Sequence, residues 1–388
     1  MQTTSQPAHP VPSPHARRTL LPVFLFFLAG GIATVMLGPL LPALILRWHI
    51  QDAQAGTLFT ASFVGQFFGA WFATRNLRAS VVYGSAITAV GCVAMAWAGF
   101  GVAHLMLLAI GFGLGAGLTA GNVIAGTAVP AARARLVAAL NVAWGIGAIA
   151  CPLLVRLSAA GGIQRFFFLT ASVIAAASLA SHIMPVESRT LPESEPPTTG
   201  EDVKPRMPLP LVPLLLFATA VFLYVGIENT LGGWLPTYAV RTNPSLRPSS
   251  ISLAFWIAEL SGRVLVTAML SRARDAAMYR VCLAVLILTQ IALCATAHIS
   301  AAGVMALTIL AALSLAPLYP LILSFLLART GKHAKLGPLL ACASVGGATL
   351  PWITGAVSTH LHGLRAGLLV PAIGAALLLL LSSVITAT

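Results

Sequence analysis

Three ionisable side chains stand inside long apolar stretches of this sequence: Glu228, Glu259 and Arg263. A charge in such surroundings is costly. Where one is kept it normally faces a bundle interior or a wet cavity and handles protons or solutes. Arg263 follows Glu259 by one helical turn, so the two share a helix face with the acid on the favoured N-terminal side. Two readings of that pair stand open: a structural clamp near a gate, and a proton switch in which protonating Glu259 frees Arg263. Glu228 has no partner in the sequence. Beside Asn229 it suits proton binding, binding of a solute hydroxyl, or both, with helix packing in its neutral form as the alternative.

Around these charges lie isolated amides, Gln66, Asn122 and Asn141, each in an otherwise apolar segment. Buried amides need partners, so each is either interhelical glue or part of the lining of a polar cavity. The aromatic set is Trp144, Tyr224, Trp234, Trp256, Tyr319 and Trp352. A sugar presents a weakly apolar ring face and a rim of hydroxyls, and aromatic plates with amide or carboxylate groups suit such a solute. Trp71 and Trp97 fall nearer segment ends and read as interfacial anchors. The five cysteines, Cys92, Cys151, Cys282, Cys294 and Cys342, stand singly in apolar sequence with no paired spacing, as small buried hydrophobes do. With no nucleophile–base set and no metal spacing, an enzyme is not expected, nor a metal or cofactor.

The elements that must position these groups are helices in lipid. Charged residues make up 8% of the 388 residues, against about 25% in a soluble domain. Apolar stretches of roughly 20 residues, enough to cross a hydrocarbon core of about 30 Å as a helix, recur from Leu20 to the C-terminus. The spacing predicts spans near 20–46, 55–74, 79–98, 103–128, 137–157, 163–184, 210–239, 250–271, 278–298, 303–327, 335–357 and 363–386. The chain therefore reads as an all-α membrane protein with 12 transmembrane helices. The polar, Pro-rich N-terminus carries no cleavage signal, so the first helix is expected to be retained.

A Pro-, Thr- and Glu-rich stretch around Pro185 to Pro208 lacks the apolar surface to fold and reads as a linker. The expected organisation is a tail at 1–19, a six-helix bundle at 20–184, a linker at 185–209 and a second six-helix bundle at 210–388. Arg17, Arg18, Arg75, Arg78, Arg133, Arg135, Lys204, Arg206, Arg272, Arg274, Lys332 and Lys335 fall on one side of the predicted topology, a thinner set on the other. By the positive-inside rule both termini and the linker are cytoplasmic. That distribution also accounts for the net charge of +13, so no nucleic-acid partner is expected. Asn141, Trp144, Gly145, Gly147 and Pro152 in the fifth span are echoed by Ser344, Gly346, Gly347, Pro351 and Trp352 in the eleventh. Paired small-residue and proline helices in two halves point to alternating access, although a static bundle could use the same contacts.

These pieces resemble the major facilitator superfamily, in particular the branch around the fucose permease. The resemblance rests on Gly38, Pro39 and Pro42, on Asp52 and Gly56, and on Gly65, Gln66 and Gly69. It continues through Gly111, Gly113, Gly115, Gly117 and Asn122, the Asn141–Gly147 run, Tyr224 to Asn229 with Gly233, Trp234 and Tyr238, and Gly347 to Gly355. It implies a major facilitator fold of two pseudo-symmetric six-helix bundles. The implied function is transport of a monosaccharide or related sugar by alternating access, coupled to protons, in a bacterial inner membrane and as a monomer. Where that branch uses acids in its first and fourth spans, this chain has none. Coupling then falls to Glu228 or Glu259, or the protein is a sugar uniporter. Efflux of small amphipathic compounds is the other alternative. The loop after the second span has Thr74 where the superfamily pattern has an acid.

Overall fold

The structure, a computed structural model, describes residues 14–73, 76–129, 132–182, 184, 211–269, 275–295, 299–330 and 337–386. The predicted linker, Thr74, Arg75 and the basic residues Lys204, Arg206, Arg272, Arg274, Lys332 and Lys335 lie outside the described residues. The first group of helices is α1 (Pro14–Val35), α2 (Leu37–Trp48), α3 (Asp52–Phe72), α4 (Leu77–Met95), α5 (Phe100–Ala128), α6 (Arg133–Leu157) and α7 (Gly162–Ser181). The second is α8 (Leu211–Thr242), α9 (Pro248–Met269), α10 (Asp275–Ala295), α11 (Ala301–Leu315), α12 (Leu318–Thr330), α13 (Gly337–His360), α14 (Leu364–Gly367) and α15 (Leu369–Ile385). Among the described residues, ten spans are long and apolar enough to cross a membrane. Helices α3 and α13, richer in polar and small residues, bring the crossings to twelve.

Three spans expected to be continuous are interrupted, and proline is the reason each time. The first breaks at Met36, the tenth at Ala316–Pro317 and the twelfth at Leu368. Pro39, Pro320 and Pro371 each stand three residues after the break and cannot donate a hydrogen bond to the carbonyl four residues back, that of Val35, Ala316 or Gly367. Each is the third residue of the helix that follows, where an N–H would lack an intrahelical partner in any case. Starts elsewhere are capped by side chains. Gln51 and Gln54 form a reciprocal capping box on α3, and Asn76 accepts from Ala79 N–H on α4.

Short connections turn the chain back on itself, and the contacts confirm the alternation. At one end, where α1 begins and α15 finishes, Arg78 donates to the His182 carbonyl and Arg280 to Thr386 Oγ1. At the opposite end, called here the far end, Arg47 donates to the Ala96 carbonyl, Trp48 to Ala98 and Tyr238 to Leu293.

The echo between the fifth and eleventh spans has a structural counterpart. A Cβ at Gly147 in α6 would overlap the Leu28 carbonyl of α1, and one at Gly31 in α1 would overlap the Trp144 carbonyl of α6. In the second group a Cβ at Gly346 in α13 would overlap the Phe222 carbonyl of α8. In both places glycine lets two backbones meet, which in lipid is the main source of helix association. Gly346→Val should therefore destabilise the bundle by about 1–3 kcal/mol. Gly101→Val, at a site with open space around it, should not. Thermal inactivation in detergent checks this, and equal effects at the two positions would refute the close-contact account.

Candidate functional site

Helix α8 carries a polar axis through the middle of the molecule. From Tyr224 to Arg241 it presents successive layers over about 25 Å at 1.5 Å per residue. The central layer is charged. Arg263 Nη2 on α9 donates to Glu228 Oε1 at 2.5 Å and to Glu259 Oε1 at 2.6 Å. Tyr224, one turn before Glu228 on α8, donates its hydroxyl to Glu228 Oε1 at 2.9 Å and accepts from Arg263 at 3.2 Å. Tyr319 of α12 lies against the Tyr224 ring with centroids 5.4 Å apart. Glu228 is 8% exposed and Glu259 1%. Glu228, expected to lack a partner in its own sequence, has one in Tyr224 at i−4, and it also shares the cation that its neighbouring helix supplies to Glu259. With both acids ionised the trio carries one negative charge in excess, and one bound proton makes it neutral. Water is largely excluded, so that difference is felt strongly.

One turn towards the far end is a small void of about 10 Å³, bounded by Thr34, Val35 and Gly38 at the break in the first span and by Asn229, Gly232 and Trp256. Asn229 donates its amide to the Val225 carbonyl. The Trp256 ring meets Trp144 of α6 edge to face at 5.7 Å, so the two groups of helices touch here.

Beyond the void the two groups close on each other. A Cβ at Gly38 would overlap the Gly232 carbonyl, and one at Gly355 would overlap the Asp52 carbonyl. Phe59 of α3 packs on Trp234 at 6.2 Å, and the Trp234 indole donates to the Pro351 carbonyl at 2.9 Å. Thr60 donates to the Ala348 carbonyl. The outermost layer is ionic. Arg241 grips both oxygens of Asp52 at 2.7 Å, Ser358 donates to the same carboxylate at 2.6 Å, and Ala53 N–H donates to Thr359 Oγ1. A polar basin of about 1010 Å³, with Gln51, His362 and Arg365 on its walls, lies over this clamp.

The structure therefore brings together Tyr224, Glu228, Glu259, Arg263 and Tyr319 in one cluster, with Asn229, Trp144 and Trp256 one turn away. It separates the others from them. Trp234 is fully buried in the far-end seam. Trp352 is 44% exposed, with its backbone against Gly56. Asn122 and Asn141 are exposed, the latter donating to the Val137 carbonyl of its own helix. Gln66 is half-buried, and its amide nitrogen meets no protein acceptor. The Asp52–Arg241–Ser358 clamp was not among the expected site residues. Its one sequence signal was a third acid at a span end with arginine at the end of the seventh.

Removal of the shared cation should cost more than removal of all three charges. Arg263→Gln leaves two buried acids without a cation and should destabilise by up to about 3–5 kcal/mol. The triple variant with Glu228→Gln and Glu259→Gln should recover most of that loss. Thermal unfolding of the purified variants decides it, and a triple variant less stable than the single one would contradict the geometry.

Comparison with known proteins gives this helix arrangement a family. Residues 23–337 match the family model described as Major Facilitator Superfamily. Bypass of stop codon protein 6 of Saccharomyces cerevisiae is 24% identical over 286 residues, covering 65% of this chain. The chain spans 56% of that relative's length. A bacterial homologue of the human lysosomal transporter Spinster, solved inward-facing, is similar with a TM-score of 0.71 when unoccupied and 0.74 when occupied. Both are 16% identical; the matches cover 96% and 97% of this chain and 98% of each solved chain. A mutant of the nucleoside transporter NupG gives a TM-score of 0.73 at 13% identity, over 94% of this chain and 98% of that one. At these identities the structural likeness shows the fold, while the family match runs over most of the sequence: the chain belongs to the Major Facilitator Superfamily, whose members are transporters.

Proposed function

We propose that this transporter moves a monosaccharide or related sugar by alternating access and couples the movement to protons through the Glu228–Arg263–Glu259 cluster. The observation that carries the coupling is a single guanidinium nitrogen held by two buried carboxylates. One proton decides whether the cluster is charged, and a charge near mid-membrane resists the repacking that alternating access demands. A protonated acid also loosens its hold on Arg263, which frees the guanidinium towards the remaining partner. Of the two sequence-based readings of the Glu259–Arg263 pair, the switch is favoured because Glu228 stands ready as the second acceptor.

The sugar reading is supported by Trp144 and Trp256 as aromatic plates with Asn229 on the same void, and by Tyr319, which packs on Tyr224 one turn away. The same aromatics would also suit a nucleoside, the solute named for one structural neighbour. The far-end clamp is the contact that opening to that side would have to break. By the positive-inside pattern read from the sequence, the end opposite the clamp is assigned to the cytoplasm and the protein to a bacterial inner membrane as a monomer, with the two bundles bounded as the sequence predicts.

Uptake of labelled hexoses, pentoses and nucleosides into proteoliposomes tests this. An inward proton gradient should drive accumulation of a sugar above equilibrium in the unaltered protein. Glu228→Gln should abolish that accumulation while leaving sugar exchange intact. Accumulation that persists in the variant would remove Glu228 from coupling. Equilibration without accumulation in the unaltered protein would leave a uniporter, and accumulation of nucleosides alone would replace the sugar reading.

A further inference from the structure

Among the described residues, the indole N–H of Trp256 is a buried donor near the centre that the charged cluster leaves unused. Trp256 is 4% exposed, and no protein atom accepts a hydrogen bond from its Nε1. A buried donor without an acceptor is expensive, and in native proteins it marks a place that something else fills. Trp256 lines the small void at the break of the first span. A Cβ at Gly232, another wall of that void, would lie 2.9 Å from Trp256 Cζ2 and 3.5 Å from its Cη2, so the benzo edge of the ring, next to the carbon that bears Nε1, borders that wall. At about 10 Å³ the void has room for one group the size of a water.

Three further polar groups belong to the same walls. Thr34 spends its hydroxyl proton on the Gly30 carbonyl, which leaves its oxygen to accept. Asn229 spends its amide N–H on Val225, so its oxygen is what it has to offer. Val35 closes α1, and its carbonyl loses the usual donor because Pro39 has no N–H. The void thus collects one donor and three acceptor-bearing residues. A hydroxyl, which both accepts and donates, fits such a set; a methyl or a charged group does not. On α9, Trp256 precedes Glu259 by one turn, and on α8, Asn229 follows Glu228 directly. The void is therefore adjacent to the coupling cluster.

We infer that this void is a hydroxyl-reading subsite, in which Trp256 N–H donates to one hydroxyl oxygen of the transported solute. The inference rests on the sugar-transport reading above and assigns it a specificity-determining atom. It also gives the proline-induced break in the first span a role: the break makes the void that a continuous helix would fill.

The test follows the Trp256 indole N–H resonance by nuclear magnetic resonance in detergent-purified protein, assigned by its loss in Trp256→Phe. D-glucose, D-galactose, D-mannose, D-xylose and D-ribose are titrated in turn. At least one should shift the resonance, and its monodeoxy analogues should include one that fails to. Trp256→Phe keeps the ring and loses the donor, so KM for that sugar should rise about tenfold with little change in maximal rate. Glu228→Gln should leave the shift in place. A resonance unmoved by every sugar overturns the subsite. Uptake in parallel vesicles then separates the two readings. Accumulation without a shift removes the subsite alone, and neither accumulation nor a shift removes both.

Discussion

One guanidinium shared by two acids in the middle of a lipid-spanning bundle is the interaction on which this molecule turns. Neither Glu228 nor Glu259 could stay ionised at that depth alone, and Arg263 could not be held there without them. The three come from adjacent antiparallel helices, so their contact fixes how α8 and α9 pack. Tyr224 takes part of the load by hydrogen bonding to the same oxygen that Arg263 holds. The arrangement is one charge short of neutral, and this imbalance is what gives the proposed proton a place to go.

The rest of the structure can be understood as what lets such a cluster sit on a path between two compartments. Close glycine contacts make α1–α6 and α8–α13 rigid pairs. Between the two groups of helices glycine also lets backbones meet, at Gly38, Gly56 and Gly355, and hydrogen bonds from Thr60 and Ala53, the Phe59–Trp234 and Trp144–Trp256 ring contacts and the Asp52–Arg241 ion pair complete the seam. Proline adds local bending without loss of the spans, because each one at a break sits where its missing donor is harmless.

Much of the architecture was legible in the sequence because lipid imposes a simple rule. Helices must be long and apolar, and the predicted spans overlie the observed helices. The breaks were missed because hydropathy does not register them, although Pro39, Pro320 and Pro371 mark each one. The site was legible only in part. Glu259 and Arg263 lie on one helix, so their pairing follows from helical spacing. Glu228 and Arg263 meet across two helices, and nothing local announces that. The same holds for Asp52 and Arg241, whose partnership spans the two groups. Gln66, Asn122 and Asn141 show the opposite limit. In a helix apolar on every side, residue type alone does not say which way an amide faces, and these three do not gather with the charged cluster.

The central claim is that the trio holds one exchangeable proton. Infrared difference spectroscopy between acid and alkaline pH, on protein reconstituted in lipid, measures it directly through the carbonyl stretch of a protonated carboxylic acid in dry surroundings. The account predicts one such band, appearing on acidification within the range over which transport operates and absent from both Glu228→Gln and Glu259→Gln. A spectrum in which neither acid takes up a proton across that range, or in which the band survives both substitutions, would contradict it.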